Sequence, residues 1–220
     1  MNYSELSSAI QAYTENTETN FVAEIPVFVK QAEQRIYNSV QFPSIRKNVT
    51  GVMASGNKYM ACPADFLAVY SMAVFPASGT GDYTYLLNKD VNFIRDAYPN
   101  PASTGKPKHY ALFGPQSTNA AELTFILGPT PDANYNAELH YYYYPESIVT
   151  AGTTWLGDNF DSVLLYGSLV EAYTYMKGEA DMMALYNQKY VEALALAKRL
   201  GDGMERQDAY RSGQVRAQVN

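Results

Sequence analysis

Apolar residues recur at helical spacing near both ends of the chain and at strand spacing between them. Leu6, Ile10 and Tyr13 share one helical face. A second helix is predicted to begin around Pro26, because a first turn tolerates the missing N–H of proline. It turns Phe28, Val29, Ala32 and Ile36 inward, leaves Lys30, Glu33 and Gln34 for solvent, and ends by Pro43. From Arg46 to about residue 150, proline and glycine punctuate short apolar or aromatic runs at 58–61, 68–75, 109–113, 123–127 and 137–144. That spacing is what a small antiparallel barrel or sandwich produces, with one short helix predicted at 89–98. In the last run Leu139, Tyr141 and Tyr143 fall on one face, and Glu138, His140, Tyr142 and Tyr144 on the other.

Helix returns after Trp155. Asp158 reads as an N-cap, and Asp161 favours the positive end of the helix dipole. Between Phe160 and Met176 only Asp161 and Glu171 are charged, so this helix should be central. After Gly178 a last helix carries Met183, Tyr186, Tyr190, Leu194, Ala197 and Leu200 as a stripe, with Lys198 and Arg199 at its far end. Gly201 and Gly203 are expected to end it. The fold class predicted is α+β: a helical core from 1–45 and 152–203, with N-terminal helices and two antiparallel C-terminal ones. A β-rich, barrel- or sandwich-like insertion occupies 46–151, and a polar tail spans 204–220.

Composition narrows the function. The chain has 220 residues, 17% of them charged, with 20 tyrosines and a net charge of −6. A low-charge, tyrosine-rich exterior suits a subunit partly covered by neighbours, and the acidic balance argues against a general nucleic-acid binder. The N-terminal residues lack the basic-then-apolar order of a signal peptide, and no run of about 18 apolar residues occurs, so no membrane anchor is expected. Cys62 is the only cysteine, which leaves neither a disulfide framework nor a thiolate metal cluster.

Candidate chemistry is sparse. Gly105-Lys106 lacks the upstream glycine of a phosphate loop, Gly79-Thr80-Gly81 lacks the third glycine of a dinucleotide turn, and no Gly-x-Ser-x-Gly elbow occurs. His109, His140 and Cys62 read as packed structural side chains. No catalytic residue, metal ligand or cofactor is assigned. Asp65, Glu122, Glu138 and Glu146 leave open a glycosidase groove, which needs two carboxylates flanking a sugar, and the β-rich middle leaves open a carbohydrate- or receptor-binding module. One charge feature stands out: between Lys108 and Lys177 the chain carries seven acidic residues and no lysine or arginine.

Several segments together resemble the head-to-tail adaptor proteins of tailed bacteriophages, especially the tail tubular protein A type of short-tailed phages. They are Ala32-Glu33-Gln34-Arg35-Ile36, Pro63-Ala64-Asp65-Phe66-Leu67, Tyr98-Pro99 with Gly105-Lys106-Pro107-Lys108-His109-Tyr110, Gly128-Pro129-Thr130-Pro131 leading to the 141–144 tyrosines, and Trp155-Leu156 followed by 164–172. The resemblance implies a structural virion protein made in the host cytoplasm and placed in the neck. It would form a homo-oligomeric ring, a dodecamer, between the portal and a tail nozzle such as a tubular protein B-like partner. The genome would pass through it without specific binding. On that expectation Glu122, Glu138, Glu146, Asp158 and Asp161 are channel-facing candidates, since negative walls give DNA no counter-charge to grip. The tail is expected to order on assembly, with Met204, Arg206, Tyr210, Arg211 and Arg216 docking on the portal or an adjacent subunit.

Overall fold

In the computed structural model, residues 1–100, 102–115 and 122–211 are described, 201–211 as backbone alone. The chain divides into two compact units, Met1–Ile45 with Tyr144–Asn220, and Arg46–Tyr143.

The first unit is helical. Helix α1 (Tyr3–Thr14) opens on a reciprocal cap, in which Asn2 Oδ1 accepts from the Glu5 amide and Glu5 Oε2 accepts from the Asn2 amide, both at 2.9 Å. Helix α2 runs Thr19–Ser39, so Pro26 lies inside it and not at its start. Proline there leaves the carbonyl one turn earlier without its amide partner. The turn before it nevertheless stays helical because Phe21 and Ile25 are buried on the same face as Phe28, Val29, Ala32 and Ile36.

The return to this unit begins with two short helices, numbered here in chain order as α4 (Ile148–Ala151) and α5 (Trp155–Asn159). They are followed by α6 (Asp161–Met176) and α7 (Ala180–Arg211). Asp158 is not the cap of α6: it lies within α5, and Phe160 takes the cap position without a side-chain bond. The ring of Phe160 instead packs at 5.1 Å from Phe42 and 5.5 Å from Trp155. Aromatic packing of this kind outweighs a cap worth about 1 kcal/mol. Helix α6 is central, with Val163, Leu164, Leu165, Leu169 and Ala172 buried. Tyr186, Tyr190 and Ala197 of α7 are buried, whereas Leu200, at the end of the expected stripe, is half exposed. Nor does α7 stop at Gly201: it continues to Arg211. Each glycine costs about 1 kcal/mol in a helix interior, a penalty that the strong helix formers Met204, Glu205, Arg206 and Gln207 can absorb.

The second unit is a sandwich. Its strands are β1 (Arg46–Met53), β2 (Tyr59–Ala61), β3 (Ala68–Pro76), β4 (Thr84–Tyr85), β5 (Leu87–Asn88), β6 (His109–Phe113), β7 (Thr124–Gly128) and β8 (Tyr135–Tyr142), with helix α3 (Val91–Ala97) between β5 and β6. One sheet has the order β1-β8-β3-β4 and the other β2-β7-β6-β5. Pairing is antiparallel except between β5 and β6. The two sheets do not close into the barrel that was one expectation. The chain changes sheets at Leu86, whose amide bonds to the Met72 carbonyl before the Leu87 amide bonds to that of Lys108. With only two residues each, β4 and β5 are too short to carry a continuous ladder around the corner. Between the sheets lies a core of Met53, Met72, Val74, Leu139 and Tyr141 from one side and Tyr110, Phe125 and Leu127 from the other. Strand β8 alternates as predicted, Ala137, Leu139 and Tyr141 being buried and Glu138, His140 and Tyr142 half-buried.

Candidate functional site

The motif residues build scaffold. In α2, Ala32 approaches Gly167 of α6 so closely that a Cβ there would sit 3.2 Å from the Ala32 methyl and 3.2 Å from the Tyr190 ring. Glycine at 167 therefore sets the distance between three helices. Arg35 pairs with Glu171 and lies 5.8 Å from the Tyr190 ring centroid, tying α2 to α6 and α7.

Glu33 corrects the expectation of a solvent-facing position: it is 3% exposed. Its Oε1 accepts from the buried amide of Ile148 at 2.9 Å, so this carboxyl satisfies the start of α4. Burial pushes its pKa up, while the Ile148 amide, the Ser147 side chain and Lys30 pull it back, and the net direction is upward. The signal was present in the sequence, because position 33 follows 29 and 32 on the buried stripe. Beside it opens a pocket of about 280 Å³ lined by Lys30, Gln34, Tyr37, Tyr144 and Ser147.

In the sandwich, Asp65 accepts from Lys47 Nζ at 2.7 Å and from Tyr141 Oη at 2.8 Å. Desolvation pushes the Asp65 carboxyl up, but these hydrogen bonds outweigh it and hold it below its ordinary value. A carboxylate that a sugar-cleaving groove could have used is thus part of a structural clasp. A second clasp joins two other motif pieces. The ring of Tyr98 lies on Gly128, where a Cβ would come within 2.6 Å of it, and its hydroxyl is 2.9 Å from His109 Nδ1. Burial and the charges of Lys89 and Lys108 hold His109 below its usual pKa.

Cys62 is buried, and desolvation with the charge of Glu122 pushes its thiol up to about 12, leaving it far from a nucleophile. Among the described residues no group of His, Cys, Asp and Glu is arranged to hold a metal ion. No described helix is long and apolar enough to cross a membrane.

The five acidic candidates fall on both units. Glu122 precedes β7, and Glu138 lies on the outer face of β8, where Asn48 donates to it at 2.8 Å and His140 Nε2 stands 3.5 Å away. Glu146 precedes α4, Asp158 lies in α5 at 3.9 Å from the Met1 amino group, and Asp161 opens α6, accepting from the Ser162 amide at 2.7 Å. Of the tail candidates, Met204, Arg206, Tyr210 and Arg211 fall on the last turns of α7, with side chains outside the described residues, and Arg216 lies outside them altogether. On α7, Leu185, Val191, Leu196 and Leu200 are exposed at separate positions around the helix, Leu200 at the end of the stripe that the sequence predicts to face inward.

The motif residues are thus spent on clasps and helix spacing. Residues 1–218 match the SU10 adaptor protein family, and the chain belongs to that family of phage head-to-tail adaptors. No curated protein matches the chain. The family is structural, and its place is the neck of the virion.

Proposed function

We propose that the protein forms a homo-oligomeric ring, a dodecamer, that docks on the portal, extends the DNA channel and presents a platform for the tail nozzle. The observation that carries this reading is the family match over nearly the whole chain. The exposed apolar residues of α7 support it, since repeated subunit contacts would cover them. In this reading the distal end of α7 and the tail beyond it grip the portal or an adjacent subunit, with Tyr210 as anchor and Arg206, Arg211 and Arg216 pairing with carboxylates or carbonyls. Ordering such a segment is costly, so its affinity comes from a buried anchor and from repetition around the ring.

The test is a chain truncated after Gly203. It should keep its thermal midpoint and bind portal markedly more weakly, and undiminished portal binding would refute the docking role. Several of Glu122, Glu138, Glu146, Asp158 and Asp161 would line the channel or its rim, so that DNA slides without sticking. Replacing two or three with Lys should slow genome ejection in a salt-dependent way while rings still assemble, and unaltered ejection would refute the acidic-wall assignment.

A further inference from the structure

The pocket beside Glu33 encloses an acid that the chain does not pair with a base. Glu33 lines it from the inward stripe of α2 and is 3% exposed. Two neutral groups meet the carboxyl, the Ile148 amide at 2.9 Å and the Ser147 side chain. A carboxylate has room for about four hydrogen bonds, so acceptor capacity remains. Among the described residues none forms an ion pair with Glu33. Lys30, at the rim, is exposed and acts on it only through space.

A carboxylate taken out of water is costly unless an opposite charge joins it. Burial raises the pKa of Glu33 on balance, and a cation in contact with the carboxyl would reverse that shift. The other lining residues favour one kind of cation. Tyr37 is buried, while Tyr144 is exposed and donates its hydroxyl to Asn38 of α2, which holds its ring at the pocket. A planar guanidinium stacks on tyrosine rings and bonds a carboxylate and an amide oxygen together, whereas an ammonium is a compact, strongly hydrated charge. At about 280 Å³ the pocket lies at the small end of ligand sites, with room for one long side chain.

We propose that this pocket receives one arginine side chain of a partner protein, with Glu33 as its counter-ion, Gln34 as a further acceptor, and Tyr37 and Tyr144 as the surfaces on which the guanidinium stacks. Charge decides the class of partner. A buried acid repels the phosphates of a nucleic acid or a lipid headgroup, so the occupant is a basic side chain carried by a protein surface. The guanidinium completes the site by adding the charge that the Ile148 amide and the Ser147 hydroxyl lack. The presence of such a partner rests on the adaptor reading above, whereas the pocket's choice of cation does not.

The test is an NMR titration of the full-length chain, wild type and Glu33→Gln, with N-acetyl-arginine methylamide and with its lysine and citrulline counterparts. Glu33→Gln keeps an acceptor for the Ile148 amide and removes only the charge. In the wild type the arginine probe should shift the Ile148 and Ser147 amide resonances saturably. The lysine probe should bind roughly threefold or more weakly, and the uncharged citrulline probe should not bind. In Glu33→Gln the affinity for the arginine probe should fall roughly tenfold or more. Citrulline binding as well as arginine, Glu33→Gln binding as well as the wild type, or no saturable shift up to about 50 mM probe, where a millimolar site would be filled, overturns the proposal. So does a shift of the same resonances on concentrating the wild-type chain alone that Glu33→Gln abolishes, since the occupant is then a second copy. Rings that form on the portal while the arginine probe fails to bind leave the ring reading standing, whereas the expected probe binding without rings supports the pocket and overturns the ring reading alone.

Discussion

Replacing Glu33 separates what its carboxyl does as an acceptor from what it does as a charge. Glu33→Ala leaves the buried Ile148 amide without its acceptor at 2.9 Å, a loss of about 1–3 kcal/mol for an orphaned buried donor. A small void where the side chain stood adds to that cost. Removing a desolvated carboxylate offsets part of it at neutral pH, so the net expected loss is about 1–3 kcal/mol. Glu33→Gln keeps a carbonyl oxygen in place and should cost less than about 1 kcal/mol. The pH dependence follows from the upward shift of Glu33. The folded state holds this proton more tightly than the unfolded state, so Glu33 detracts from stability as pH rises from the ordinary carboxylate range through its raised value. Both variants should lack that component, and their urea midpoints should fall less than the wild type's as pH is raised across this window. The assay is urea unfolding followed by circular dichroism at several pH values between acid and neutral. Glu33→Gln costing as much as Glu33→Ala would refute the acceptor argument, and an unchanged pH slope in both would refute the burial argument.

Three further outcomes are expected. Gly128→Ala forces a methyl against the Tyr98 ring, and overpacking should lower stability by about 1–3 kcal/mol, an effect that shrinks when Tyr98 is already Ala and is read from a double-mutant cycle. The buried hydroxyl of Tyr190 has no hydrogen-bond partner among the described residues, so Tyr190→Phe should leave the denaturation midpoint unchanged or raise it, and a loss above about 1 kcal/mol would show that the hydroxyl is bonded. With its thiol pushed up to about 12, native Cys62 should resist a disulfide reagent at pH 8 and react fully once the protein is unfolded in urea.

The parts of the fold legible in the sequence were those whose periodicity decided between faces. Helix α6 carries two charges over its length and could only be central; β8 alternates residue by residue. Strand β1 escaped notice because 47–52 are exposed, so its apolar and polar residues follow no single-face pattern. Pro26 misplaced the start of α2 since tertiary burial of Phe21 and Ile25 overrides a local breaker. Asp158 misled in the same way, a good capping residue losing its position to aromatic packing by Phe160. Of the motif pieces, the sequence showed their order but not their purpose. Glu33, Gly128 and Gly167 acquire meaning only when α4, Tyr98 and Tyr190 are brought against them by segments distant in the chain.

The most direct test of the central claim is an image. Purified protein should appear by negative-stain electron microscopy as monomers or loose associations, and mixing with its portal should yield rings stacked on the portal with a continuous central channel. The low-charge, tyrosine-rich composition and the exposed apolar residues of α7 favour such contacts once a template aligns the copies. A stable dimer that never forms rings when portal is added would contradict the account.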